Sequence, residues 1–185
     1  MVKRSFLMLI ILNSLVSIGQ EQYIRQGTLK ASATIAPSMM LNRNIQNIYI
    51  NGFLAYQLDE KLSLRGEAFY YIDGAAGAAS DMGYSGAMHT YFGVFYHGRK
   101  GNWDNYVGFQ PGLSVAQVPL KSGATASPSF AAKIGTSYYV WKYFHFFAEL
   151  TYMNNNVRGI PGGTMRMDEL MLSAGLGFHI NTRKE

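Results

Sequence analysis

Cysteine is absent from all 185 residues, so disulfides, thiolate metal sites and an acylated cysteine anchor are excluded. Long apolar runs are scarce as well. Past residue 19 nothing approaches the roughly 18 consecutive apolar residues of a membrane helix. If this chain crosses a bilayer, it must cross as strands. Charged residues are only 15% of the total, and the formal excess of +5 is scattered, which argues against nucleic acid as a partner. What is plentiful is 20 Gly, 13 Tyr and 11 Phe, a composition of permissive backbone and sheet-forming rings. The length suits one closed architecture and leaves no room for a second core.

The first residues read as an export signal. Lys3 and Arg4 precede an apolar run from Phe6 to Val16, and the small residues Ser17 and Gly19 stand at the third and first positions before Gln20. That order predicts a cleaved signal peptide over 1–19 and a single domain over 20–185. Lys3 and Arg4 are the only charges lost, so the formal net charge falls from +5 to +3.

Beyond Gln20 the chain falls into segments of about ten residues with period-two alternation. From Leu62 to Ile72 one face carries Leu62, Leu64, Gly66, Ala68, Tyr70 and Ile72; the other carries Ser63, Arg65, Glu67, Phe69 and Tyr71. The first face suits hydrocarbon, while the second holds an acid and a base. The same pattern predicts strands near 28–41, 48–58, 62–72, 88–97, 105–117, 129–140, 143–153 and 169–180. Short connectors at 59–61, 98–104 and 141–142 alternate with generally longer ones at 42–47, 73–87, 118–128 and 154–168. Alternating short turns and long loops are the pattern of an all-β, closed antiparallel, eight-stranded transmembrane up-and-down barrel. Tyr56, Tyr96, Trp103, Tyr106, Tyr138, Tyr139, Trp141, Tyr143 and Phe144 gather beside the short turns, as a girdle at a membrane interface would. Pro111, with no N–H to donate, predicts a bulge in its strand, with Gly108 and Gly112 on either side letting it bend.

The competing architecture is a secreted soluble barrel of lipocalin type, with its apolar face turned inward around a ligand. Charge placement separates the two, because a water-facing exterior needs roughly a quarter of its positions charged. Within the interiors of the predicted strands the clear charges are only Lys30, Arg65, Glu67, Lys133 and Glu149; Asp104, Arg99 and most others fall in turns, loops and termini. This favours a hydrocarbon belt with wet rims, and outer-membrane lipid as the surrounding partner.

The stretches Tyr56-Gln-Leu-Asp-Glu-Lys-Leu-Ser-Leu-Arg-Gly-Glu67 and Tyr106-Val-Gly-Phe-Gln-Pro-Gly-Leu113 resemble the small OmpA/OmpX-type outer-membrane barrels. The likeness is one of pattern over nearly all of residues 20–185, and the polar tail from His179 to Glu185 departs from the usual terminal aromatic. The strand motifs are also similar to barrels of Bacteroidota, some of them subunits of secretion or assembly complexes. The resemblance implies an outer-membrane location and a non-enzymatic scaffold or partner-binding role, with protein partners in such a complex. A loop-mediated adhesin or receptor, and a small pore, remain the other classes.

Chemistry-bearing residues are few. Some small outer-membrane barrels are lipid hydrolases using Ser with His, but His89, His97, His145 and His179 lack their His-x-Ser spacing, and all four fall on inward faces. Partners on other strands stay open at this point. No catalytic, cofactor or metal site is expected, since the four His lie on three or four different strands without ligand spacing. The constellation that stands out is Arg65, Glu67, Lys133 and Glu149, all inward by parity, with Lys133 and Glu149 brought close by the turn between their strands. Charges inside so narrow a barrel must pair, which predicts a structural lumen network; a gated or proton-conducting lumen is the alternative. Loops 73–87 and 154–168, with Gly162-Gly163 beside Arg158 and Arg166, read as mobile surface loops.

Overall fold

The computed structural model describes residues 26–43, 45–74, 83–119, 122–160 and 163–183. The signal-peptide reading therefore lies outside the described residues, as does most of the loop at 73–87. Ten strands follow in order: β1 (Thr28–Met40), β2 (Ile45–Gln57), β3 (Leu62–Gly74), β4 (Gly86–Lys100), β5 (Trp103–Gln117), β6 (Thr125–Tyr139), β7 (Phe144–Asn154), β8 (Asn156–Ile160), β9 (Gly163–Arg166) and β10 (Glu169–Asn181). Strands β1 to β7 and β10 close a barrel in which β10 returns to β1, and every neighbouring pair is antiparallel.

Period-two alternation forms these strands and decides what each face meets. Outside, Ile35, Leu54, Phe92, Phe109, Ile134 and Leu172 each expose more than half of their surface. Inside, the buried positions include Lys30, Asn51, Arg65, Glu67, His89, Gln110, Lys133 and Glu149. A soluble barrel puts its apolar face inward; this one wears it outward as a continuous belt, which only hydrocarbon can cover. The fold is thus that of a transmembrane barrel, and no helix among the described residues is long and apolar enough to cross a membrane.

The turn end is tighter than the sequence suggests. Arg99 opposes Asp104 and Lys100 opposes Trp103, so the expected connector at 98–104 shrinks to Gly101 and Asn102, with Gly101 at φ +59°. Tyr96, Trp103, Trp141 and Tyr143 face outward at this end. Tyr106 and Tyr139 do not belong to that girdle: strand parity turns both into the lumen, at 4% and 1% exposure. At the other end the first loop, expected over 42–47, is only 41–44, and the segment read as a mobile loop at 154–168 contains the hairpin β8–β9.

Pro111 makes no bulge. Pairing of β4 with β5 lapses between Tyr91–Gly112 and Val94–Phe109 and then resumes in the same register. Gly93 allows the close approach of β5 there, because a Cβ would run into the backbone of Phe109 and Gln110. The flanking glycines serve a different purpose from bending. Phe95 opposes Gly108, Tyr91 opposes Gly112, Tyr106 opposes Gly135 and His145 opposes Gly177. In each pair a Cβ on the glycine would collide with the opposing ring. Inward rings therefore lie flat along the wall over directly opposite glycines, which lets eight strands enclose bulky side chains.

Candidate functional site

The lumen is filled in three tiers. In the middle tier β3 supplies Arg65 and Glu67 from adjacent inward positions, β6 supplies Lys133 and β7 supplies Glu149. Lys133 opposes Thr151, and Glu149 opposes Gly135, so the two meet diagonally. All four are at most 5% exposed. Lys133 Nζ donates to Glu67 Oε1 at 2.6 Å and Oε2 at 2.7 Å, and to Glu149 Oε2 at 2.9 Å. Arg65 forks across both acids, reaching Glu67 Oε1 and Glu149 Oε2 through Nη2 at 2.9 and 2.8 Å and Glu149 Oε1 through Nη1. Asn51 completes Glu67 at 2.9 Å and the Tyr106 hydroxyl completes Glu149 at 2.6 Å.

Two cations and two carboxylates give this tier no net charge. Each ion loses several kcal/mol of hydration on burial, and the multiple charge-assisted bonds to each carboxylate offset that cost. The Arg65 guanidinium also lies 3.6 Å over the Phe53 ring and 5.3 Å from Phe95, so aromatic faces cover it where carboxylates do not. Both carboxylates are satisfied from within the cluster and by Asn51 and Tyr106, whereas Arg65 Nε is a buried donor with no partner among the described residues.

The tier near the short turns was not legible as a unit. Asp104, placed in a turn by the sequence reading, is fully buried on β5. It accepts from Lys30 Nζ at 3.3 Å, lies 3.5 Å from Arg99 Nε and binds His97 Nδ1 at 2.9 Å. His97 Nε2 lies 2.8 Å from Ser63 Oγ. With its Nδ1–H given to Asp104, His97 presents Nε2 as acceptor and Ser63 donates to it, which is the order of a nucleophile relay. The three residues come from consecutive strands, so no local motif could reveal them. The cavity beside Ser63, His97, Lys30 and Tyr106 measures about 10 Å³, the size of one water. In the same region His145 stacks on Tyr139 and His179 meets its ring edge-on, and no cluster of metal-ligating residues occurs among the described residues.

In the third tier, toward the long loops, Glu169 accepts from Ser38 Oγ at 2.5 Å and Tyr49 OH at 2.8 Å. Glu169 shares inward parity with Met171 and Ser173, a signal the sequence carried and the reading passed over. Around it pack Tyr84, Tyr91, Met40, Met153, Met167 and Met171, so this end is closed by rings and thioethers. Among the histidines here, His89 bonds Ser114 at 2.8 Å.

No protein-family model matches the chain, and no curated protein matches it in sequence. Solved structures do. The outer membrane protein OprG of Pseudomonas aeruginosa aligns with a TM-score of 0.63 at 13% identity, over 85% of this chain and 98% of that one. Neisserial surface protein A aligns at 0.62 with 16% identity, over 83% and 96%. The N-terminal β-barrel domain of Pseudomonas aeruginosa OprF aligns at 0.52 with 17% identity, over 84% and 98%. At such identities the likeness establishes the fold, that of small outer-membrane barrels.

Proposed function

We propose that this chain is an integral outer-membrane barrel that acts without catalysis, as a scaffold or partner-binding component of a membrane complex. The observation that carries this reading is the filled lumen. Arg65, Glu67, Lys133 and Glu149 bridge it at mid-height through bonds of 2.6 to 2.9 Å, leaving no water column for ions. With the interior committed to holding the wall together, interaction with other molecules falls to the outer belt, the rims and the loops. Export fits the same reading: residues 1–19 act as a signal peptide, and the short turns face the periplasm. Mass spectrometry of the purified protein should find Gln20 at its N-terminus.

Planar-bilayer conductance is the deciding experiment for the lumen. The folded barrel should give no steady channels, and large stable ones would replace the scaffold reading with a pore. Gentle detergent extraction from native membranes should bring a defined protein partner along. Recovery of the barrel alone, together with binding of whole cells or matrix by its loops, would favour an adhesin instead.

A further inference from the structure

The wall of the barrel is not uniform. Strand β1 pairs with β10 over Thr28–Ala31 against 178–181 and again over Ser38–Met40 against 169–171, with no paired positions between. The register on the two sides is the same, so this is a parting of the ladder, with the two strands still side by side, and not a bulge. Each strand keeps its other partner through the interval: β1 stays paired with β2 from Ser32–Phe53 to Pro37–Ile48, and β10 with β7 from Leu172–Leu150 to Gly177–His145. What spans the parting is side chain. Ser32 Oγ donates to the Leu176 carbonyl at 3.3 Å and Thr34 Oγ1 to the Ala174 carbonyl at 2.8 Å. A hydroxyl on a rotor replaces the ladder there.

Both faces of this seam are consistent with movement. On the lumen side the β10 positions are Gly175 and Gly177, with the rings of Phe147 and His145 laid over them. The small residues leave the rings, which belong to β7, as the inner backing. On the outer side a groove of about 490 Å³ borders the upper end of the parting, lined by Pro37, Met39, Leu170 and Leu172 among others. Pro37 sits at that end and has no N–H to restore the ladder.

We infer that the β1–β10 seam is a lateral gate: over 32–37 and 172–177 the wall opens toward the hydrocarbon layer, held shut by the Ser32 and Thr34 hydroxyl bridges. The inference does not depend on the scaffold reading, because a barrel closed to ions along its axis can still part sideways. Hydrogen exchange on the unmodified folded barrel in lipid vesicles tests it. Amides of Ala33, Ile35, Ala174 and Leu176, which point across the seam while their neighbours stay bonded to β2 and β7, should exchange at least tenfold faster than those of β6, whose ladders to β5 and β7 are continuous from Phe130 to Tyr138. Two lipid-facing cysteine pairs supply the second measurement, Ala33→Cys with Leu176→Cys inside the parting and Met39→Cys with Leu170→Cys on the paired register beside it. The first pair should oxidise more slowly, and once formed its disulfide should bring seam exchange down to the level of β6. Seam amides as protected as those of β6 would overturn the gate. So would equal oxidation of the two pairs with no effect on exchange. Should the cysteine variants fail to fold, exchange in the unmodified protein decides alone.

Discussion

At the scale of single residues the lumen is held by two devices that respond differently to mutation. The first is a ring laid over an opposing glycine. A Cβ at Gly135 would stand 2.6 Å from Tyr106 Cε2 and 2.9 Å from Glu149 Cγ, so Gly135→Ala must push a ring that is itself bonded to Glu149. Overpacking of this kind costs about 1–3 kcal/mol, and the loss should appear as a lower unfolding temperature of the purified barrel. The second device is the ion cluster, in which removal of one partner strands the others. Lys133→Met leaves Glu67 and Glu149 to share Arg65, and a buried charge without its partner costs about 3–5 kcal/mol. Glu149→Gln should harm stability similarly, whereas the double variant should recover part of the loss, because it removes one charge of each sign. A thermal-unfolding cycle over the four proteins measures this; strictly additive losses would mean that the two residues are not coupled. Parity alone placed all four cluster residues inside. It could not place Asp104, because a charge next to a short turn is ordinarily solvated, and only the pairing of Arg99 with Asp104 carries the ladder down to Gly101.

Elements differ in how they are secured. The turn from β2 to β3 closes on Asp59, whose Oδ1 accepts the backbone N–H groups of Lys61 and Leu62, both at 2.7 Å. Those two donors hold its carboxyl below the usual value. A depressed folded pKa contributes stability above the unfolded value of about 4 and loses it as pH falls through the folded one. Amide protection at Lys61 and Leu62 should therefore survive below about pH 4 and collapse only in stronger acid, and Asp59→Ala should abolish that dependence. The β8–β9 hairpin hangs on Asp168. Its carboxylate accepts from Tyr152 OH at 2.8 Å, Asn154 Nδ2 at 2.9 Å and Arg166 Nε at 2.5 Å. Asp168→Ala should speed limited proteolysis between 155 and 167 while leaving the barrel's unfolding temperature nearly unchanged; an intact loop after the same digestion would show that the hairpin holds without it. The hairpin was hidden in the sequence because Asn154-Asn155-Asn156 and Gly162-Gly163 read as loop, and its stabilising contacts come from the end of β7 and from Asp168, the residue before β10.

For the whole molecule, what the sequence revealed followed from solvent. Hydrocarbon outside and a crowded lumen inside impose a period of two on every wall strand, so strand number, inward faces and closure were readable from one chain. Neither solvent fixes how evenly neighbouring strands pair, and the two lapses, at β1–β10 and at β4–β5 beside Pro111, and the register shift of β2 against β3 between Ile48 and Tyr49 left no mark that alternation could carry. Elsewhere the closed sheet has no free edge, and detergent can enter only by separating strands whose amides find no water in the belt. The folded barrel should consequently stay folded in dodecyl sulfate at room temperature and run at a different position on a gel after boiling. Because the hydroxyl-bridged seam is its weakest line, Ser32→Ala with Thr34→Val should lower the temperature at which that shift occurs. The same shift in a Met39→Ala control should move less, since Met39 lies where β1 and β10 are fully paired. Identical mobility before and after boiling, with the protein soluble without detergent, would return the chain to the soluble-barrel architecture.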